Sequence, residues 1–185
     1  MPPKVRIRKE DIVRTAVEIV RKDGADAVNA RSIAASLGCS TQPVFSNFAT
    51  MDELRLAVVE AADALYEEYI LRAAAEGKYP AYKASGMAYI RFAKDEKELF
   101  KLLYMRDRSG ETIPKEMALT KEMQQIVLNG TGLEEETAML FHLEMWAFVH
   151  GIAAMAATGF LELDQELVSR MLTDAYQGLM KQYHN

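Results

Sequence analysis

Apolar residues recur along the chain at steps of three and four almost throughout, and no stretch alternates apolar and polar residues in the manner of a strand. The pattern predicts an all-α protein. Ile12, Val13, Ala16, Val17, Ile19 and Val20 line one side of a first helix that stops at Gly24, where a glycine permits positive φ. Asn29 is the expected N-cap of a short second helix carrying Ile33, Ala34 and Leu37 and ended by Gly38. A third short helix follows, capped by Ser40, with Pro43 inside the first turn, where a missing N–H costs little. Thr50-Met51-Asp52-Glu53 has the S/T-x-x-E form of a capping box and starts a fourth helix that runs to the mid-70s. Beyond Gly77 and Pro80, helices are expected over roughly 82–94, 96–106, 114–129, 133–158 and 164–183.

The segment from Ala138 to Ala157 is apolar on nearly every face, which calls for burial all round or a membrane span. His142, Glu144 and His150 interrupt it and no basic flank follows, so burial is expected and no membrane. The last helix gathers Leu167, Val168, Met171, Leu172, Ala175, Tyr176, Leu179 and Met180 on one broad stripe. Two adjacent apolar helices at the C-terminus point to a homodimer interface, with completion of the monomer core as the alternative.

Charge changes this picture. The 185 residues carry a formal −5, yet residues 1–50 hold eight Lys and Arg against five Asp and Glu, a net of +3. Residues 51–185 are left with 14 cations against 22 anions, a net of −8. A cationic head over residues 1–50 on an anionic body over 51–185 suggests a nucleic-acid module fused to something else. Cys39 is the only cysteine, so no internal disulfide can form and a reducing, cytoplasmic compartment is expected. The N-terminus has a charged start without an apolar stretch behind it, unlike a signal peptide.

The informative stretch is Ser32-Ile33-Ala34-Ala35-Ser36-Leu37-Gly38-Cys39-Ser40-Thr41-Gln42-Pro43-Val44-Phe45-Ser46-Asn47-Phe48. Two helices crossing steeply over a short turn need a small residue at closest approach, which Ala34 supplies, and a turn glycine, which Gly38 supplies four residues later. Ile33, Leu37 and Val44 then point inward, leaving Thr41, Gln42 and Ser46 on the outer face, where polar side chains reach base edges. The same spacing also suits a plain helical hairpin. Cys39, in the turn, reads as a small buried apolar residue rather than a redox switch.

With the first helix ending at Gly24, then ARSIAASLGCSTQPVFSNF, then ATMDEL, residues 8–55 resemble the DNA-binding head of the TetR/AcrR family of bacterial transcriptional regulators. The tail is similar only in helical layout and in Trp146-x-x-x-His150-Gly151. The resemblance implies an N-terminal three-helix helix-turn-helix domain followed by a helical bundle. It also implies a homodimer whose paired heads bind a palindromic operator under control of a small molecule held by the tail. Three positions depart from the family's pattern: Phe45 replaces a tyrosine, so a phenolic bond to phosphate is lost; Asn47 stands where histidine is frequent; Met51 stands where lysine is usual. Each lost phosphate contact lowers the salt dependence of binding by about one unit of slope.

Within the head, Gln42 suits a bidentate adenine contact and Thr41 a thymine methyl or a phosphate. Arg31, Ser32, Phe45 and Asn47 are assigned to the DNA backbone, as are the helix-start amides near Ala30 and Met51. Ser40, Pro43 and Ser46 complete the surface. The arm with Lys4, Arg6, Arg8 and Lys9 either adds phosphate contacts or is a solvated tail.

Eleven methionines and sixteen aromatics suggest an adaptable interior. Phe92, Phe100, Tyr104, Met105, Met123, Phe141, His142, Met145, Trp146 and His150 form the candidate effector pocket, with Tyr104, His142, Glu144 and His150 as its polar groups; ordinary core is the alternative for each. A mainly apolar or aromatic effector follows. His142 and His150 are about 12 Å apart along a helix axis, too far to share one ion, so no metal is expected. The chain has no Gly-rich phosphate loop, HExxH motif or nucleophile elbow, which argues against an enzyme, and no cofactor is expected. A DNA-binding repressor is the expectation, with the fourth helix carrying the effector signal to the heads; a protein-binding adaptor that has lost DNA binding is the alternative.

Overall fold

The computed structural model describes residues 7–107 and 120–183, and among these every regular element is helical. In chain order they are α1 (Lys9–Asp23), a 3₁₀ turn (Ala25–Ala27), α2 (Ala30–Ser36), α3 (Gln42–Asn47), α4 (Met51–Glu76), α5 (Ala81–Asp95), α6 (Lys97–Tyr104), α7 (Lys121–Thr131), α8 (Glu135–Thr158) and α9 (Gln165–Tyr183). The α7 helix starts later than 114: Thr120 caps it, its hydroxyl accepting the Met123 N–H at 3.2 Å, and the residues before Thr120 lie outside the described ones. Contacts divide the chain into two compact units, one of residues up to 67 with 96–106, the other of 68–95 with the residues from 107 on. The first is wider than a 1–50 head, because it takes in α4 as far as Glu67 and also α6, which packs against α1.

In the first unit α1 packs against α2, α3 and α6, around the fully buried Ile12, Ile33, Val44, Phe48, Leu54, Leu99 and Phe100. Asn29 caps α2 as expected, its Oδ1 accepting the N–H groups of Arg31 and Ser32, both at 3.0 Å. At the other end Gly38 has φ +63°, the Cys39 N–H donates to Ala34 O at 2.9 Å, and the Gly38 N–H donates to Ala35 O at 3.2 Å. This double bond pattern closes a helix around a left-handed residue, which is why glycine follows Leu37. The start of α3 differs from expectation: Thr41, not Ser40, is the N-cap, with no side-chain cap. The Thr41 carbonyl accepts the Val44 N–H at 3.1 Å, and Pro43 carries no amide that a capping side chain would have to satisfy.

At α4 the capping box forms one residue out of register. The Glu53 N–H donates to Thr50 Oγ1 at 3.1 Å, but the Glu53 carboxylate accepts the Ala49 N–H, at 2.8 Å, instead of that of Thr50.

In the second unit α5 is central, packed against α7, α8 and α9, and its inner side is built from Ala84, Met87, Ala88, Ile90 and Phe92. Gly86 lets α8 and α9 come close: a Cβ there would stand 3.4 Å from Leu172 Cδ1 and 3.6 Å from Val149 Cγ2. The expectation that α8 is buried all round is not met. Phe141, Met145, Val149, Ile152, Ala153 and Ala157 are buried, whereas Leu140, Leu143, Ala147, Phe148 and Gly151 are exposed along the opposite side. Within one chain α5, α7 and α9 cover only one side of α8. Length and composition alone would let this helix cross a bilayer, but its inner side is packed as a core helix.

Candidate nucleic-acid interface and sensor core

The outward side of α3 is set by the residues that face inward. Val44 and Phe48 are each 1% exposed and fasten α3 to the head core, which turns Gln42, Phe45 and Ser46, neighbours at i, i+3 and i+4, to solvent. Thr41 and Pro43 are half-buried and Ser40 is exposed. Two of the expected contacts are already engaged inside the head. The Asn47 amide donates to Pro43 O at 2.8 Å and reaches Ile7 O at 3.5 Å, so it ties α3 to the chain entering α1 instead of offering a donor to phosphate. The Ser32 hydroxyl donates within its own turn, 2.8 Å from Ala27 O and 2.9 Å from Asn29 O, and accepts the Asn29 N–H at 3.1 Å.

The amides of Arg31 and Ser32, held by Asn29, are likewise not free for a phosphate at the α2 start. Arg31 stands exposed and makes no ion pair among the described residues. Lys4 and Arg6 lie outside the described residues. Arg8 is exposed and pairs with Asp11 at 3.3 Å, a surface pair weak enough to exchange with phosphate. Lys9 bonds Glu53 at 3.2 Å and lies over the Phe48 ring, 4.7 Å from its centroid, so it braces α1 on α4. Cys39 is half-buried rather than buried.

The ten candidate effector residues are divided between the two compact units. Phe100, Tyr104 and Met105 belong to the first unit, where Phe100 is fully buried, Tyr104 packs on it at 5.1 Å between ring centroids, and Met105 is exposed. The other seven belong to the second. Phe92, Phe141 and Met145 are buried in its core, and Met123 is half-buried on α7. His142 and His150 each meet a tyrosine of α5: Tyr82 OH and His142 Nδ1 are 3.0 Å apart, Tyr89 OH and His150 Nδ1 2.9 Å. Trp146 stacks on His150 at 5.0 Å.

Burial lowers the pKa of both imidazoles and raises that of the Tyr82 phenol, so all three are neutral near pH 7. Sequence reasoning missed Tyr82 and Tyr89. Their seven-residue spacing matches the eight of His142 and His150, two turns in each case, and was the available signal. Glu144, expected among the polar pocket groups, is instead on the exposed side of α8, where it accepts the Tyr183 O–H at 2.7 Å. A cavity of about 20 Å³ in this unit, lined by Ile90, Lys94, Ile152, Ala156, Leu161, Glu162, Leu163 and Val168, includes none of the ten and is the size of one water.

Residues 82–176, just over half of the chain, match the family described as tetracyclin repressor-like, C-terminal domain. An uncharacterized HTH-type transcriptional regulator of Mycobacterium tuberculosis, Rv0681, is 22% identical over 161 residues, 85% of this chain and 73% of that protein. A TetR-like transcriptional regulator from Rhodococcus sp. RHA1 superposes with a TM-score of 0.69 at 18% identity, over 97% of this chain and 98% of the other. The multidrug binding protein EbrR, in complex with malachite green, does so with a TM-score of 0.59 at 18% identity, over 94% and 98%. With an all-helical fold that joins an N-terminal helix-turn-helix to a C-terminal helical domain, this chain belongs to the TetR family of transcriptional regulators, and is a regulator rather than an enzyme.

Proposed function

We propose that the protein is a cytoplasmic, homodimeric repressor that reads a palindromic operator through α3 and leaves it when a small, mainly apolar or aromatic effector binds its second unit. The observation that carries the reading is the outer side of α3, where Gln42, Phe45 and Ser46 are held in solvent by a helix anchored through Val44 and Phe48. Residues 1–50 supply the DNA contacts and residues 51–185 the effector and dimer contacts. The exposed apolar side of α8, with Leu140, Leu143 and Phe148, supports an isologous interface with a second copy, to which Leu167 of α9 adds. Dimeric heads must hold their recognition helices about 34–36 Å apart to enter successive major grooves. An effector that prefers another spacing would therefore lower operator affinity. The α4 helix runs from residues of the first unit into those of the second without a break and is the proposed route for that change.

Selection of duplexes from a random library, followed by fluorescence anisotropy on the enriched sequence, tests the reading. A palindromic motif, and its release by aromatic probes such as malachite green, the compound held by EbrR, is the expected result. Failure of any motif to enrich would overturn it.

A further inference from the structure

Phe45 is 56% exposed, whereas Ile33, Val44 and Phe48 of the same helix-turn-helix are at most 1% exposed and Leu37 is half-buried. It stands one turn from Gln42 and beside Ser46 on the outward side of a helix whose polar side chains are partly spent. The Ser46 hydroxyl donates to Gln42 O at 2.9 Å, and the Asn47 amide to Pro43 O at 2.8 Å. What α3 presents outward is therefore the Gln42 amide, a Ser46 oxygen whose proton is engaged, and a bare aromatic ring. A phenylalanine ring has no hydrogen bond to give a phosphate oxygen, and laying it against one would desolvate the anion without return. On base edges in the major groove the apolar group is the methyl on C5 of thymine, a position that methylated cytosine also fills.

We infer that Phe45 is a base-reading residue that recognises a pyrimidine C5-methyl group, in place of the backbone contact its position suggests. This rests on the proposal that α3 enters the major groove. A ring that addresses only the methyl is indifferent to the oxygen or amine at the neighbouring C4. It accepts thymine and 5-methylcytosine alike and disfavours uracil and unmodified cytosine. Gln42, one turn earlier, faces an adjacent base pair and supplies the hydrogen-bonded half of the readout.

The test uses the full-length protein and the duplex enriched from a random library, with each thymine of a half-site replaced in turn by uracil, 5-methylcytosine (opposite guanine) or cytosine. At one position per half-site, uracil weakens binding by about three- to tenfold. There 5-methylcytosine binds more tightly than cytosine by a similar factor. In Phe45→Ala both methyl effects vanish, while Gln42→Ala keeps them and loses preference elsewhere. Because Phe45 lies outside the core, unchanged circular dichroism and melting of Phe45→Ala are expected. Wild-type binding insensitive to every methyl, or a methyl effect of equal size in Phe45→Ala, overturns the assignment while leaving operator binding intact. Uniform binding to all duplexes overturns the operator reading and this assignment together.

Discussion

His142 and His150 are held uncharged by burial, and each is bonded to a tyrosine hydroxyl of α5. Their folded pKa values lie below the ordinary value near 6.5. As pH falls through that value, the unfolded chain takes up protons that the folded one resists, and stability drops. Urea unfolding at pH 7.5 and 5.5 is expected to show a lower midpoint at pH 5.5, and the His142→Gln, His150→Gln double variant a smaller difference. An unchanged difference would place the proton uptake elsewhere. Gly38 permits a second prediction: with φ at +63° and no atom within 4 Å of an added Cβ, Gly38→Ala costs about 1 kcal/mol by backbone strain alone, readable as a shifted urea midpoint. That glycine and the Asn29 cap were legible in the sequence because each acts within its own turn. The internal duties of Ser32 and Asn47 were not. Whether a polar side chain faces a ligand or its own backbone depends on rotamers and on partners such as Ile7, forty residues away.

Among the elements, α6 is held to α1 by a contact that no local pattern announces. Arg21 binds Glu96 with two bonds, Nε to Oε2 at 2.8 Å and Nη2 to Oε1 at 2.9 Å, and a third nitrogen meets Glu18. The Glu96 bonds, then the Glu18 bond, raise the guanidinium pKa despite partial burial. The carboxylate of Glu96 is mostly buried, so Arg21→Ala strands it and is expected to cost about 1–2 kcal/mol, less than a wholly buried pair. Adding Glu96→Ala to that variant should cost little more, a double-mutant cycle by urea unfolding being the check. Helix existence and order followed from the apolar period. Of the features missed, α6 joining α1 is set by a tertiary partner, whereas the Thr41 start of α3 and the shifted box at Glu53 turn on which backbone group of the same turn is bonded, which residue types alone do not fix. The residues expected in the pocket are apolar and soft, a property that core and pocket share. Phe92, Phe100 and Phe141 prove to be fully buried.

For the whole molecule, the exposed side of α8 is the feature a single chain leaves unexplained. Leu143→Glu places a charge in the proposed two-fold interface and is expected to yield monomers by light scattering, with the helical circular dichroism retained. Arg31→Ala is expected to lower the slope of log affinity against log salt by about one, leaving base preference unchanged. The helix-turn-helix was visible in the sequence because its small residue, glycine and apolar positions lie within one short stretch. The open side of α8 was not, because a helix apolar all round gives no sign of which side its own chain covers. Selective operator binding by a dimer is the property on which the proposed function turns. It is tested most directly by measuring affinity and stoichiometry on the enriched palindrome and on a scrambled duplex across a salt series. Two chains per palindrome are expected, with a preference over the scrambled sequence that persists as salt rises. Equal affinity for both duplexes, falling together with salt, would contradict it.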